Sequence, residues 1–203
     1  MVAIVDYGVG NLFSLTSSFA AIGKEARVVS DPAKLKEADH IILPGVGAFE
    51  DAANKLRSCG MAEELLRLAA EGKPIMGICL GMQLLFEASY EYGEHRGLGL
   101  IKGKVRYIGD YIEQGLKIPE IGWNALSFGK SKHPLFRYLE EGDFVYFVHS
   151  YHGTDCEDSV IATTDYGGTL TAAVAKGNVM GCQFHPEKSG EVGLSILRAF
   201  CEL

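Results

Sequence analysis

The sequence predicts one α/β domain, built on a central mixed, mainly parallel sheet flanked by helices and carrying a β-rich second half. Three observations predict it. Over roughly the first ninety residues, short continuously apolar runs alternate with helix-length amphipathic segments, the pattern of parallel strands covered on both faces. From about Gly97 onward, runs of β-type residues broken by turn signals take over. No linker, repeat, low-complexity tract or shift in composition interrupts the chain, so 1–203 reads as one domain, and 47% apolar content supplies one good-sized core.

Each element has its own signal. Val2 to Val5 is an apolar strand, followed by a glycine-bearing turn and a helix over about Asn11 to Ile22. Glu25 to Val29 is a second strand, after which Asp31-Pro32 gives an N-cap with proline at the first helical position. His40 to Leu43 is a third strand, ended by the loop Pro44-Gly45-Val46-Gly47. Helices are expected near Phe49 to Arg57 and from Met61 to Glu71, the latter stopped by Gly72 and Pro74, with Met61, Leu65, Leu68 and Ala69 on its core face. Ile75 to Ile78 is a strand that runs into a helix from Leu80. Further strands are expected over Gly99 to Ile108, Ile121 to Phe128, Asp143 to Ser150, Val160 to Thr164 and Leu170 to Phe184, the last a hairpin turning at Gly177-Asn178. A final helix begins near Ser189, with Val192, Ile196 and Phe200 at four-residue spacing.

Composition narrows the function. Net charge is −7 with acids and bases interspersed, and no basic block or aromatic-basic pattern offers a nucleic-acid surface. No apolar run reaches the length of a membrane span, and no signal segment precedes the first strand. Five cysteines at scattered spacings argue against a disulfide framework and for a reducing cytoplasm. Gly8-Val-Gly10 with Asp31 imitates a dinucleotide fingerprint, but its third glycine would fall at Phe13, so no nucleotide cofactor is expected. His149 and His152 have no further ligand cluster at metal spacing, so no metal is expected.

Chemistry concentrates at Cys79. Gly77-Ile-Cys79-Leu-Gly81 has the nucleophile-elbow spacing at a strand-to-helix turn, with a thiol as nucleophile. Unpaired N–H groups at a helix N-terminus favour thiolate over thiol there. A free cysteine is more often a small buried hydrophobe, so the elbow needs a base to mean anything. His185 in Phe184-His-Pro-Glu187 supplies one at a strand exit, and Glu187, two residues on in extended chain, faces the same side and would orient the imidazole. Cys79, the Pro44–Gly47 loop, Ser150 and His185 all follow strands, where doubly wound sheets place their sites.

These two motifs resemble the signatures of the class I (triad) glutamine amidotransferases. Asp6-Tyr-Gly-Val-Gly-Asn11, Leu43-Pro-Gly-Val-Gly-Ala-Phe49, Ile121-Gly-Trp-Asn124 and Phe147-Val-His-Ser-Tyr-His152 are similar to segments of the subfamily that serves imidazole glycerol phosphate synthesis in histidine biosynthesis. The resemblance spans essentially the whole chain. It implies hydrolysis of glutamine through a glutamyl thioester, with Cys79 as nucleophile, His185 as proton carrier and Glu187 behind it. Leu80 N–H and the Val46–Gly47 peptide would hold the oxyanion. Gly47, Gln83, Glu91, Ser150 and Tyr151 would bind glutamine, although Glu87, Glu91 and Glu94 also read as a solvated acidic cluster at a helix exit. No cofactor is implied. The partner implied is a cyclase subunit of (β/α)8-barrel type in a heterodimer, which receives ammonia; such a barrel alone takes about 250 residues. Asn11, Trp123, Tyr146 and Lys188 are the candidate partner face. Amidotransferase subunits of other synthases, a free-standing γ-glutamyl hydrolase and a non-catalytic binding module remain alternatives.

Overall fold

The structure, a computed structural model, describes residues 1–129 and 131–203. Its first half alternates as the sequence pattern requires. Strands β1 (Val2–Val5), β2 (Ala26–Val29), β3 (His40–Leu43) and β4 (Ile75–Ile78) are separated by α1 (Leu12–Ala21) and by α2 (Phe49–Ser58) with α3 (Met61–Ala70). Asp31 caps a short 3₁₀ turn, Pro32–Glu37, by accepting from the Ala33 N–H. Met61, Leu65, Leu68 and Ala69 are all buried. After β4 the chain makes only a five-residue helix, α4 (Leu80–Leu84).

The remaining elements are β5 (Ala88–Ser89), β6 (His95–Arg96), β7 (Lys104–Tyr107), β8 (Glu120–Ala125), β9 (Ser127–Phe128), β10 (Phe144–His149), β11 (Tyr151–Thr154), β12 (Val160–Asp165), β13 (Thr169–Lys176), β14 (Val179–Cys182) and α5 (Gly190–Phe200). Eight strands form one mixed sheet in the order β2-β1-β3-β4-β14-β13-β12-β9. The β2-β1-β3-β4-β14 part is parallel and the rest antiparallel. The expected mixed, mainly parallel sheet is therefore present.

Alternation along the strands divides the core between the two sheet faces. Ala3, Val5, Ile41, Leu43 and Ile75 pack with Phe49, Leu56, Leu65 and Leu68 of α2 and α3. Val2, Ile4, Ile42, Met76 and Ile78 pack with Leu15, Phe19, Ile196 and Phe200 of α1 and α5. Each of these side chains larger than alanine contributes about 2 kcal/mol on full burial.

The second half differs from expectation in three places. The strand expected over Gly99 to Ile108 shrinks to β7, because Gly99 and Gly103 adopt φ of +69° and +124°. The strand after the Gly177 turn stops at Cys182, so His185 does not close it. The chain instead crosses between ladders: Gln183 N–H bonds to Ala172 O at 2.8 Å and His185 N–H to Tyr146 O at 2.9 Å. Finally, among the described residues β8 pairs only with β10, and β11-β7-β5-β6 form a separate small sheet, of which the sequence signalled β7 alone.

Candidate active site

The elbow is dictated by close packing. A Cβ on Gly81 would lie 1.9 Å from Leu43 O, and one on Gly77 2.5 Å from Gly81 O. With both flanking side chains deleted, the chain folds back tightly between β4 and α4, and Cys79 takes φ 55°. The parallel pairing of β4 with β14 brings the distant His185 segment beside it, anchored by Cys79 N–H to Cys182 O at 2.8 Å.

His185 lines the same cavity as Cys79, and its Nδ1 lies 2.7 Å from Glu187 Oε1. The contact with Glu187 is made, but not by extended chain: Pro186–Lys188 is a 3₁₀ turn that folds the carboxylate under the ring. Burial alone would lower the His185 pKa, yet the neighbouring Cys79 sulfur and the Glu187 carboxylate raise it to about 9. The imidazole is thus held as a cation beside the sulfur at neutral pH.

Cys79 and His185 open onto a cavity of about 570 Å³. Val46, Gly47 and Leu80 line it, as do Gln83, Glu91, Ser150 and Tyr151. Glu187 lies behind His185 and does not line it. The Pro44–Gly47 loop approaches the elbow closely enough that a Cβ on Gly45 would sit 2.6 Å from Gly81 N. Its base is tied down by Tyr7, whose buried hydroxyl donates to Pro44 O at 2.8 Å. Burial and the nearby Cys79 sulfur push the Tyr7 pKa up. Nothing in the sequence singled Tyr7 out.

Glu91 departs from the solvated-cluster reading. Its Oε2 accepts from Phe49 N–H, at the start of α2, at 2.6 Å. Glu87 accepts from Gly103 N–H at 2.9 Å, so it too is held. Gln83 lines the cavity, but its amide NH₂ points inward, to Tyr151 O at 3.2 Å and Gln183 Oε1 at 3.1 Å.

A fold with this elbow and this histidine turn matches a family model for glutamine amidotransferase class-I over residues 3–202. The chain belongs to the class-I glutamine amidotransferases. It is 55% identical over 202 residues to a Sulfurimonas denitrificans protein named imidazole glycerol phosphate synthase subunit HisH, covering 98% of this chain and 97% of the relative. Proteins of the same name from Lactococcus lactis and Aquifex aeolicus are each 48% identical, over 99% and 97% of this chain and 98% and 94% of theirs. Among solved structures, one described as a glutamine amidotransferase superposes with a TM-score of 0.77 at 21% identity, over 100% of this chain and 98% of the other. PurLQS from Thermotoga maritima superposes at 0.78 with 24% identity, over 99% and 97% of the two chains. These likenesses show the fold of the amidotransferase.

The amidotransferase also presents an exposed aromatic ribbon. On β8 and β10, Tyr146 pairs with Trp123, their rings meeting edge to face at 6.0 Å. Lys188 Nζ lies 5.8 Å from the centre of the Tyr146 ring and also borders the cavity. Ile121, Trp123 and Phe144 on the same strands are 61%, 54% and 55% exposed. Asn11 caps α1, accepting from Ser14 N–H. His149 and Glu120, both buried, lie 2.9 Å apart, and His149 Nδ1 meets Tyr151 O at 2.8 Å. His152 Nδ1 accepts from Thr171 N–H at 3.3 Å. Glu120 was not anticipated as a member of the site, Gln183 stood in the His185 motif without a role, and His149 was expected only through its backbone, beside Ser150 and Tyr151. Besides its place at the head of Gln183-Phe-His185-Pro-Glu187, the signal for Gln183 was a lone amide inside the apolar run Val179 to Phe184.

Proposed function

We propose that this chain is the glutaminase subunit of imidazole glycerol phosphate synthase, acting through Cys79, His185 and Glu187. The observation that carries the reading is His185, bonded to Glu187, sharing the wall of one cavity with Cys79. Identity of 55% to the Sulfurimonas protein over nearly the full length favours this synthase over other amidotransferase assemblies. A free-standing γ-glutamyl hydrolase or a non-catalytic module accounts for it less well.

In this mechanism the Cys79 thiolate attacks the side-chain carbonyl carbon of glutamine, and the carbonyl oxygen takes the charge. Leu80 N–H and a Val46–Gly47 peptide N–H receive that oxyanion, each such donor being worth about 3 kcal/mol of barrier. Collapse breaks the C–N bond while His185 gives its proton to the leaving nitrogen, releasing ammonia and leaving a glutamyl thioester. His185 then takes a proton from water, whose oxygen attacks the thioester. Glutamate leaves and the thiolate returns. Glu187 keeps the ring oriented and cationic. Glu91 faces the substrate α-amino group, and Gly47 with the Ser150–Tyr151 backbone faces its carboxylate. Gln83 contributes its carbonyl side, since its NH₂ is engaged.

Ammonia freed into neutral water gains a proton and stops being a nucleophile. The proposal therefore includes a barrel-shaped cyclase subunit, joined in a heterodimer against the Trp123, Tyr146, Lys188 and Asn11 side. The cyclase would take ammonia directly and form imidazole glycerol phosphate and the aminoimidazole carboxamide ribonucleotide. A reducing cytoplasm is the proposed setting; among the described residues, no helix is long and apolar enough to cross a membrane. The test is glutaminase turnover with and without the cyclase and its nucleotide. Slow turnover alone and a rise on adding both are expected. Equal rates would reject the coupled subunit.

A further inference from the structure

The five-residue α4 would offer a thiolate at Cys79 little helix dipole, so its stabilisation falls to nearby groups. Val148 O, 4.0 Å from the sulfur, can only accept and so faces the thiol proton, whereas the Gln183 side-chain amide, at 3.8 Å, donates to the sulfur, and His185 lines the cavity beside it. Gln183 is fully buried and does not line the cavity, so it does not touch a bound substrate. Its backbone is fixed at the crossing between ladders, by the bond to Ala172 O.

Which end of the Gln183 amide faces the sulfur follows from its neighbours. Tyr151 O only accepts, so the Gln83 group 3.2 Å from it is the NH₂. That same nitrogen lies 3.1 Å from Gln183 and only donates, so it meets the Gln183 oxygen. The Gln183 NH₂ is left pointing at Cys79 Sγ. A buried N–H directed at sulfur is stronger when the sulfur is charged, so the donor favours thiolate over thiol.

We infer that Gln183 is a positioning residue which holds the Cys79 sulfur in place and stabilises its thiolate, with Gln83 fixing the direction of the Gln183 amide. The inference rests on Cys79 being the nucleophile. The titratable groups facing the sulfur are His185 backed by Glu187, Tyr7 after β1 and Cys182 at the end of β14. None of them is altered by substituting either glutamine, which makes the pH profile of the thiol a clean reporter.

The experiment measures alkylation of Cys79 by iodoacetamide against pH in the intact chain, read by mass spectrometry of the Cys79 peptide, in wild type, Gln183→Leu and Gln83→Leu. Near-ultraviolet circular dichroism checks that each variant is folded. In Gln183→Leu the midpoint should rise by about one pH unit, slowing alkylation about tenfold at pH values well below the wild-type midpoint. Gln83→Leu, which frees the Gln183 amide to turn, should move the midpoint the same way by less. An unchanged midpoint in either folded variant overturns the inference, so one folding failure leaves the other decisive. Labelling of wild-type Cys79 by an electrophilic glutamine analogue is the separate arm. Its absence would remove the nucleophile assignment, whereas labelling with unchanged midpoints removes only the role of the glutamines.

Discussion

Cys79 has φ 55° and ψ −115°, the mirror image of ordinary extended backbone, which an L side chain adopts only under strain. The elbow therefore stores energy at the very residue proposed to react. Cys79→Ala and Cys79→Gly both delete the thiol, but only glycine relaxes in this conformation. The glycine variant should be the more stable of the two by about 1–2 kcal/mol in urea unfolding, and neither should release ammonia from glutamine. Glu187 belongs to the same scale. Glu187→Gln keeps a hydrogen-bond acceptor at His185 Nδ1 and loses the charge. Turnover should fall about a hundredfold with little change in KM. The alkaline limb of the pH–rate profile should also move to lower pH, since one of the groups holding the imidazole near 9 is gone.

Among the elements, the parallel half was legible because its strands are buried on both faces and show as unbroken apolar runs: β3 and β4 fall where His40 to Leu43 and Ile75 to Ile78 predict them. Strands β5 and β6 have two residues each, too few for any period to register. The contact between His185 and Glu187 was foreseen for the wrong reason, since it depends on a turn begun by Pro186 and not on strand alternation. Gln83 was read as a substrate contact, but its inward NH₂ depends on Tyr151 O, which only the fold brings near. The β8–β10 ribbon is different: its half-exposed aromatics mean little in one dimension and form a continuous face in three. Trp123→Ala should weaken cyclase binding about thirtyfold in a titration, as loss of a central aromatic anchor does, and leave the melting temperature of the isolated chain nearly unchanged.

At the scale of the molecule, stability should decline on the acid side. Burial, and then the charge of nearby His149, hold the His152 pKa down at about 4. The unfolded side chain titrates near 6.5. The unfolded state thus binds the extra proton between these values, and stability complete above pH 6.5 is lost as pH falls to about 4, by about 3 kcal/mol in full. His152→Asn, whose side-chain oxygen can take the Thr171 N–H, should flatten the fall in thermal midpoint across that interval.

The placement of β14 in the middle of the large sheet also bears on synthesis. It fills the gap between β4 and β13, so until the final quarter of the polypeptide has left the ribosome those two edges stay open and the sheet cannot close. The proposed nucleophile is made early and its proposed proton carrier arrives with the last segment to join. A nascent or truncated chain is therefore harmless to the cell's glutamine, and competence to cleave it arrives together with the completed fold.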